Sequence, residues 1–155
     1  MKLFQIEEPD GGSADPGETG AAIGVDAGGA SAEVAFSVGG NALILDDRAG
    51  FEQALPVPAI VAPTAEWQGL FEGARIRAER ALARPVTHAV VVLAATPHAD
   101  DARRLQRAAA GAGLALLQLA GRGELPDGPA PALAAAILAE DLAPRPELTT
   151  APDPG

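Results

Sequence analysis

The order of apolar runs along this chain predicts an α/β fold, a five-stranded mixed sheet with three helices. Three observations carry that expectation. The first half holds three closely spaced β-type runs, at residues 21–27, 32–38 and 42–45, separated by glycine-rich turns. The second half alternates helical periodicity with short apolar runs that suit strands. At 155 residues and 48% hydrophobic, the chain is the size of one ordinary domain with enough apolar side chains for a core.

The first strand, residues 21–27, is a nearly continuous apolar run. In the second, Val34, Phe36 and Val38 alternate against Glu33, Ala35 and Ser37. Gly39-Gly40-Asn41 is a strong hairpin turn, and Ala42 to Leu45 make the third strand. Residues 46–50 end it, and residues 51–63, broken by Pro56, Pro58 and Pro63, read as irregular. Thr64 is placed to N-cap a helix running to about Ala83, with Glu66 favourable in its first turn. Trp67, Leu70, Phe71, Ala74, Ala78, Ala81 and Leu82 recur at helical spacing and mark its buried face, and Pro85 stops it. Ala89 to Leu93 is a short continuous apolar strand of the kind buried on both faces. A second helix follows from Asp100 to Ala112, then a strand from Leu114 to Leu119. Pro131 opens a third helix through Glu140, with Leu133, Ile137 and Leu138 available for packing.

Residues 1–20 read as a flexible leader, residues 21–143 as the single domain, and residues 144–155, with four prolines, as a disordered tail. Strands joined through helices lie parallel with right-handed crossovers. Three antiparallel strands followed by helix, strand, helix, strand, helix is the ribonuclease H-like order, shared by lobe I of the actin-like ATPases.

Composition narrows the function. The net charge of −10 repels phosphate backbones, and no basic patch interleaved with aromatics is present, so nucleic acid is not an expected partner. The absence of cysteine excludes disulfides, a Cys nucleophile and thiolate ligation of a metal or cluster by this chain. No apolar run approaches the roughly 20 residues that span a bilayer. Glu7, Glu8 and Asp10 interrupt any signal-peptide pattern, so a cytoplasmic location without membrane contact is expected.

The segment richest in chemistry is Gly24-Val25-Asp26-Ala27-Gly28-Gly29. Ile23 and Val25 carry Asp26 to the end of a strand, and Gly28 and Gly29 then turn the chain without side-chain obstruction. Backbone amides and a carboxylate-bound cation can meet a phosphate together in such a loop. Asp26, Gly28 and Gly29 are therefore the candidate cofactor-binding residues, and Asp26 is the candidate metal ligand. The competing reading makes Asp26 a strand-end carboxylate that caps the Gly28-Gly29 turn.

Three segments resemble the DnaK-type heat-shock chaperones. Gly24-Val25-Asp26-Ala27-Gly28-Gly29-Ala30-Ser31-Ala32-Glu33-Val34-Ala35 lies over that family's first phosphate motif, roughly G-I-D-L-G-T-T-N-S-x-V-A. Val90 to Leu93 followed by Asp100-Asp101-Ala102-Arg103-Arg104 resembles the family's strand and D-A-Q-R helix start. Ala112-Gly113-Leu114-Ala115-Leu116-Leu117-Gln118-Leu119 resembles its A-G-L-x-V-L-R-L strand. Leu3-Phe4-Gln5-Ile6-Glu7-Glu8-Pro9 is similar to the L-L-Q-I-A-E-P start of the HscA branch, which serves iron–sulfur cluster assembly. Together these cover residues 2–62 and 64–140.

The departures from the family set the functional expectation. Its two phosphate-contacting threonines are replaced by Gly29 and Ala30. Its catalytic lysine sits in an inserted subdomain for which residues 51–63 stand here, and Lys2 is the only lysine of the sequence. Glu124 in Gly123-Glu124-Leu125-Pro126 resembles the glutamate of the family's N-E-P segment, with Leu125 interrupting it. The family's second phosphate motif, adenosine-binding half and peptide-binding domain have no counterpart in these residues. The resemblance thus implies a non-catalytic, chaperone-ATPase-like interaction module accessory to iron–sulfur cluster assembly or protein folding. A protein partner or a second copy would dock at the open cleft edge carrying Gly28, Gly29 and Gly123, with Leu125 partly uncovered. Two alternatives stay open: weak binding of ATP and Mg²⁺ at Asp26, and a metal-dependent nuclease beginning with Asp26 and Glu72.

Other polar clusters have simpler readings. Asp46-Asp47 suits a solvated turn as well as a metal pair. His98 with Asp100 and Asp101 suits a metal cluster, or acids placed on a helix dipole. His88 is expected just before the buried strand. Arg75, Arg77, Arg80 and Arg84 read as a solvated face balanced by Glu72 and Glu79.

Overall fold

The computed structural model describes residues 20–45 and 54–144. The leader, including Leu3 to Pro9, the Asp46-Asp47 pair, residues 51–53 and most of the proline-rich tail lie outside the described residues. The compact unit is Ala21–Ala143.

It is an α/β unit with a five-stranded mixed sheet and three α-helices. The strands are β1 (Ala21–Ala27), β2 (Glu33–Val38), β3 (Asn41–Ile44), β4 (Val86–Leu93) and β5 (Ala115–Gly121), and the helices are α1 (Thr64–Leu82), α2 (Ala99–Gly111) and α3 (Pro131–Leu142). The sheet order is β3-β2-β1-β4-β5. β1 to β3 pair antiparallel, while β1, β4 and β5 run parallel. Antiparallel neighbours need only a tight turn between them, whereas parallel ones need a crossover, here α1 and α2.

α1 and α2 cover one face of the sheet, and α3 covers the other. On the first face, Ile23 and Val25 of β1 and Val91 of β4 pack with Trp67, Phe71 and Leu105. Trp67 is 1% exposed, its ring centroid is 5.8 Å from that of Phe71, and its indole N–H donates to the Ala59 carbonyl at 2.9 Å. One side chain thereby fills the core and ties down residues 57–60.

The second face is built from small residues. Ala22, Val90 and Val92 meet Ala135 and Ala139 of α3, and Ala35 meets Ala132 and Ala136. The helix lies so close to β1 that a Cβ at Gly24 would strike the backbone of Ala135 and Ala136, 2.6 Å from the Ala135 carbonyl carbon. Glycine is therefore a steric requirement at this position. Leu133 and Leu138, expected to carry the packing, are only partly buried beside this alanine seam. Glu140, at the far end of α3, accepts hydrogen bonds from the Ser37 hydroxyl at 2.8 Å and the amides of Gly39 and Gly40 at 2.6 and 3.0 Å. It holds the β2–β3 hairpin against the helix, and Ser37 is buried rather than solvent-facing.

Three local expectations are corrected. Pro63, not Thr64, occupies the N-cap of α1, with no side-chain cap; Thr64 is the first helical residue because the proline brings the chain in extended. β4 begins at Val86, so His88 lies within the strand, paired with Ala22 and Ala115, and burial lowers its pKa. Arg75 is not simply solvated: its Nε donates to the Ala112 carbonyl at 2.7 Å and its guanidinium pairs with Glu79 at 3.0 Å. Glu79 in turn accepts from the Val86 amide at 3.0 Å, so the pair joins α1 to the end of α2 and the start of β4. No helix among the described residues is long and apolar enough to cross a membrane.

Truncating Trp67 removes the largest buried side chain of the α1 face. Trp67→Ala is expected to lower unfolding free energy by about 3–5 kcal/mol, read by denaturant titration; a midpoint equal to that of the wild type would contradict the packing described.

Candidate functional site

The three parallel strands end together. The register pairs Ala27 with Leu93 and Leu93 with Gly121, so the segments after β1, β4 and β5 emerge along one edge of the sheet. In open α/β sheets ligands bind outside the carboxyl ends of strands where the strand order reverses, which here is between β1 and β4. Residues 55–57 brace the loop after β1: the Ala32 amide donates to the Leu55 carbonyl at 2.8 Å, and the Val57 amide to the Ala30 carbonyl at 2.9 Å.

Asp26 reaches this edge as expected and is 4% exposed. Its carboxylate is fully engaged. Oδ1 accepts from the Gly28 amide at 3.0 Å, which is the turn-capping role. Arg122, the first residue after β5, reaches past the end of β4, donating from its guanidinium NH₂ to Oδ2 at 2.7 Å and from Nε to Oδ1 at 3.3 Å. This bidentate geometry suits a planar guanidinium on a carboxylate. The hydrogen bond and charge of Asp26 raise the Arg122 pKa above its usual value.

Arg122 also lies against the glycine loop. A Cβ at Gly28 would sit 2.5 Å from Nε of Arg122, so the absence of a side chain is what lets the guanidinium settle there. Gly29 is exposed beside it. The candidate residues Asp26, Gly28 and Gly29 are thus brought together, with an arginine over the place where a cation or phosphate would approach. Sequence reasoning missed Arg122. Ending β5 at Leu119 left it in a loop, whereas the strand runs to Gly121 and aims the next residue across the edge.

Glu124 follows in a short 3₁₀ turn. Its carboxylate accepts from the Gly121 amide at 2.9 Å and from the Thr96 hydroxyl, and these bonds hold its pKa below the usual carboxylate range. It fastens the β5 loop to the β4 loop. Leu125 is half-buried against the α3 face.

The remaining candidates separate. His98 is the N-cap residue of α2 without a side-chain cap, Asp100 pairs with Arg103, and Asp101 pairs with Arg104 at 2.7 Å. Glu72 is exposed on α1. Among the described residues no group of three or more His, Asp or Glu side chains is placed to hold a metal ion. No protein-family model matches this chain, and no curated protein matches it either.

Removing the guanidinium leaves a buried carboxylate with the Gly28 amide alone. Because Arg122 is 43% exposed on its side chain, water replaces part of what is lost. Arg122→Ala should cost about 1–2 kcal/mol, and Asp26→Ala/Arg122→Ala less than the sum of its singles. Additive losses in a denaturant double-mutant cycle would show that the pair is not coupled.

Proposed function

We propose that this chain is a non-catalytic interaction module: a ribonuclease H-like unit of the kind found as lobe I of actin-like ATPases, with its phosphate loop closed from within. The single observation that carries the reading is Arg122 on Asp26 above Gly28. Phosphoryl transfer requires cations arranged around the transferring group, and a carboxylate at the loop serves by holding a metal or its water. Here that carboxylate is neutralised by the protein's own guanidinium. A Mg²⁺ ion with a nucleotide would have to displace Arg122 from both oxygens, and Gly29 and Ala30 offer no hydroxyl in exchange.

The sheet order and the position of the glycine loop at the end of β1 support the lobe reading. The chaperone relationship, and an accessory role near iron–sulfur cluster assembly or protein folding, rest on the segment resemblances. A protein partner or second copy would use the cleft edge, where Gly29 and Gly123 are exposed. The weak ATP/Mg²⁺ reading requires the ion pair to open. The nuclease reading requires a cluster of acids around Asp26; Glu33 is its cross-strand neighbour, but among the described residues no group of three or more His, Asp or Glu side chains is placed to hold a metal ion.

Purified protein should hydrolyse ATP no faster than buffer, and calorimetric titration with ATP and Mg²⁺ should give no saturable heat. Turnover above background that disappears in Asp26→Ala would overturn the proposal.

A further inference from the structure

Between the glycine loop, residues 57–60 and the loop that leads from β4 into α2 lies a cleft of about 440 Å³, lined in part by Gly28 and Gly29. Trp67, Leu93 and Ala27 form its most buried lining, and Val57 and Ile60 line it from the connecting segment. Among the described residues its ionisable lining side chains are His98 and Asp101, and no lysine or arginine lines it. We propose that this cleft binds an uncharged, largely apolar small molecule about the size of two fused or linked aromatic rings.

Three features carry the proposal. The volume lies within the roughly 300–1,000 Å³ of small-molecule sites, which are mostly apolar with a few polar groups. The wall is built in advance: the Trp67 indole donates to Ala59, Arg104 donates to the Ile60 carbonyl at 2.7 Å, and the Val57 amide donates to Ala30. These bonds consume backbone acceptors and leave apolar side chains lining the space, so binding needs little reordering. Charge selects the ligand class. Asp101 is held by Arg104, the chain carries a net charge of −10, and among the described residues no lysine or arginine lines the cleft to receive an anion. An apolar neutral molecule leaves no charge uncompensated on entering, whereas a phosphorylated one would.

This inference rests on the volume and lining of the cleft, to which Gly28 and Gly29 contribute, and not on the Arg122–Asp26 ion pair. Its test uses N-phenyl-1-naphthylamine, a neutral probe that accepts excitation energy from tryptophan. Trp67 is the only tryptophan of the chain, so transfer reports binding to this domain from a single donor, and the lining variants assign it to the cleft. The proposal predicts saturable transfer at one probe per chain, undisturbed by ATP with Mg²⁺. Ile60→Asp and Ala94→Glu, both at exposed lining positions, should weaken it about tenfold or more. Val61→Asp, adjacent but outside the lining, should leave it within about twofold. Circular dichroism confirms that each variant is folded. Absence of saturable transfer, equal affinity in the two lining variants, or displacement by ATP with Mg²⁺ would each overturn the proposal. A failure of the probe to bind would leave the absence of ATP turnover standing, so the two readings fail separately.

Discussion

A buried carboxylate at the end of β1 must be compensated, and the way it is compensated organises the edge of this protein that carries its chemistry. Asp26 is almost fully withdrawn from water. An isolated charge there would be costly, so its oxygens take hydrogen bonds from the Gly28 amide and the Arg122 guanidinium. That requirement fixes the turn after β1, draws the end of β5 across β4, and demands a residue without a side chain at Gly28. Glu124, two residues further on, fastens the same loop to Thr96 and Gly121. The ionic groups of the edge are therefore engaged internally, and the apolar cleft opens along the same edge, with Gly28 and Gly29 in its lining.

The opposite face of the sheet answers to a different constraint. With few aromatic residues available, the chain gains contact by approach. Alanines of α3 bring the helix against the backbone of β1 at Gly24, where dispersion contacts are dense although each side chain is small. The seam has no room for a methyl group at Gly24, while the Trp67 face concentrates its contact in a few large side chains. Glu140 then joins the seam to the hairpin through Ser37, Gly39 and Gly40.

Much of this was legible in the sequence, for physical reasons. Strands and helices followed from period and from glycine and proline punctuation, because those signals are local. Trp67, Leu70 and Phe71 stood out as a core face since large apolar side chains at helical spacing have nowhere else to go. Asp26 stood out because a carboxylate ending an apolar strand before two glycines is chemically unusual. The missed features are long-range. Arg122 lies 96 residues from Asp26, and nothing local distinguishes it from a surface arginine. Arg75 was misjudged for the same reason: its partner Ala112 belongs to another element, as does Glu140, the partner of Ser37. The alanine seam was hidden because alanine gives a weak apolar signal while Leu133 and Leu138 give strong ones.

The central claim is that Arg122 occupies the carboxylate at the glycine loop. Nitrogen-15 NMR of arginine side chains addresses it directly, since a guanidinium held on a buried carboxylate exchanges its Nε proton slowly. The account predicts a resolved, slowly exchanging Arg122 Nε–H that collapses into the exposed-arginine envelope in Asp26→Asn and is unmoved by Mg²⁺. An Arg122 signal that already exchanges like those of exposed arginines, or that shifts saturably with Mg²⁺, would contradict it.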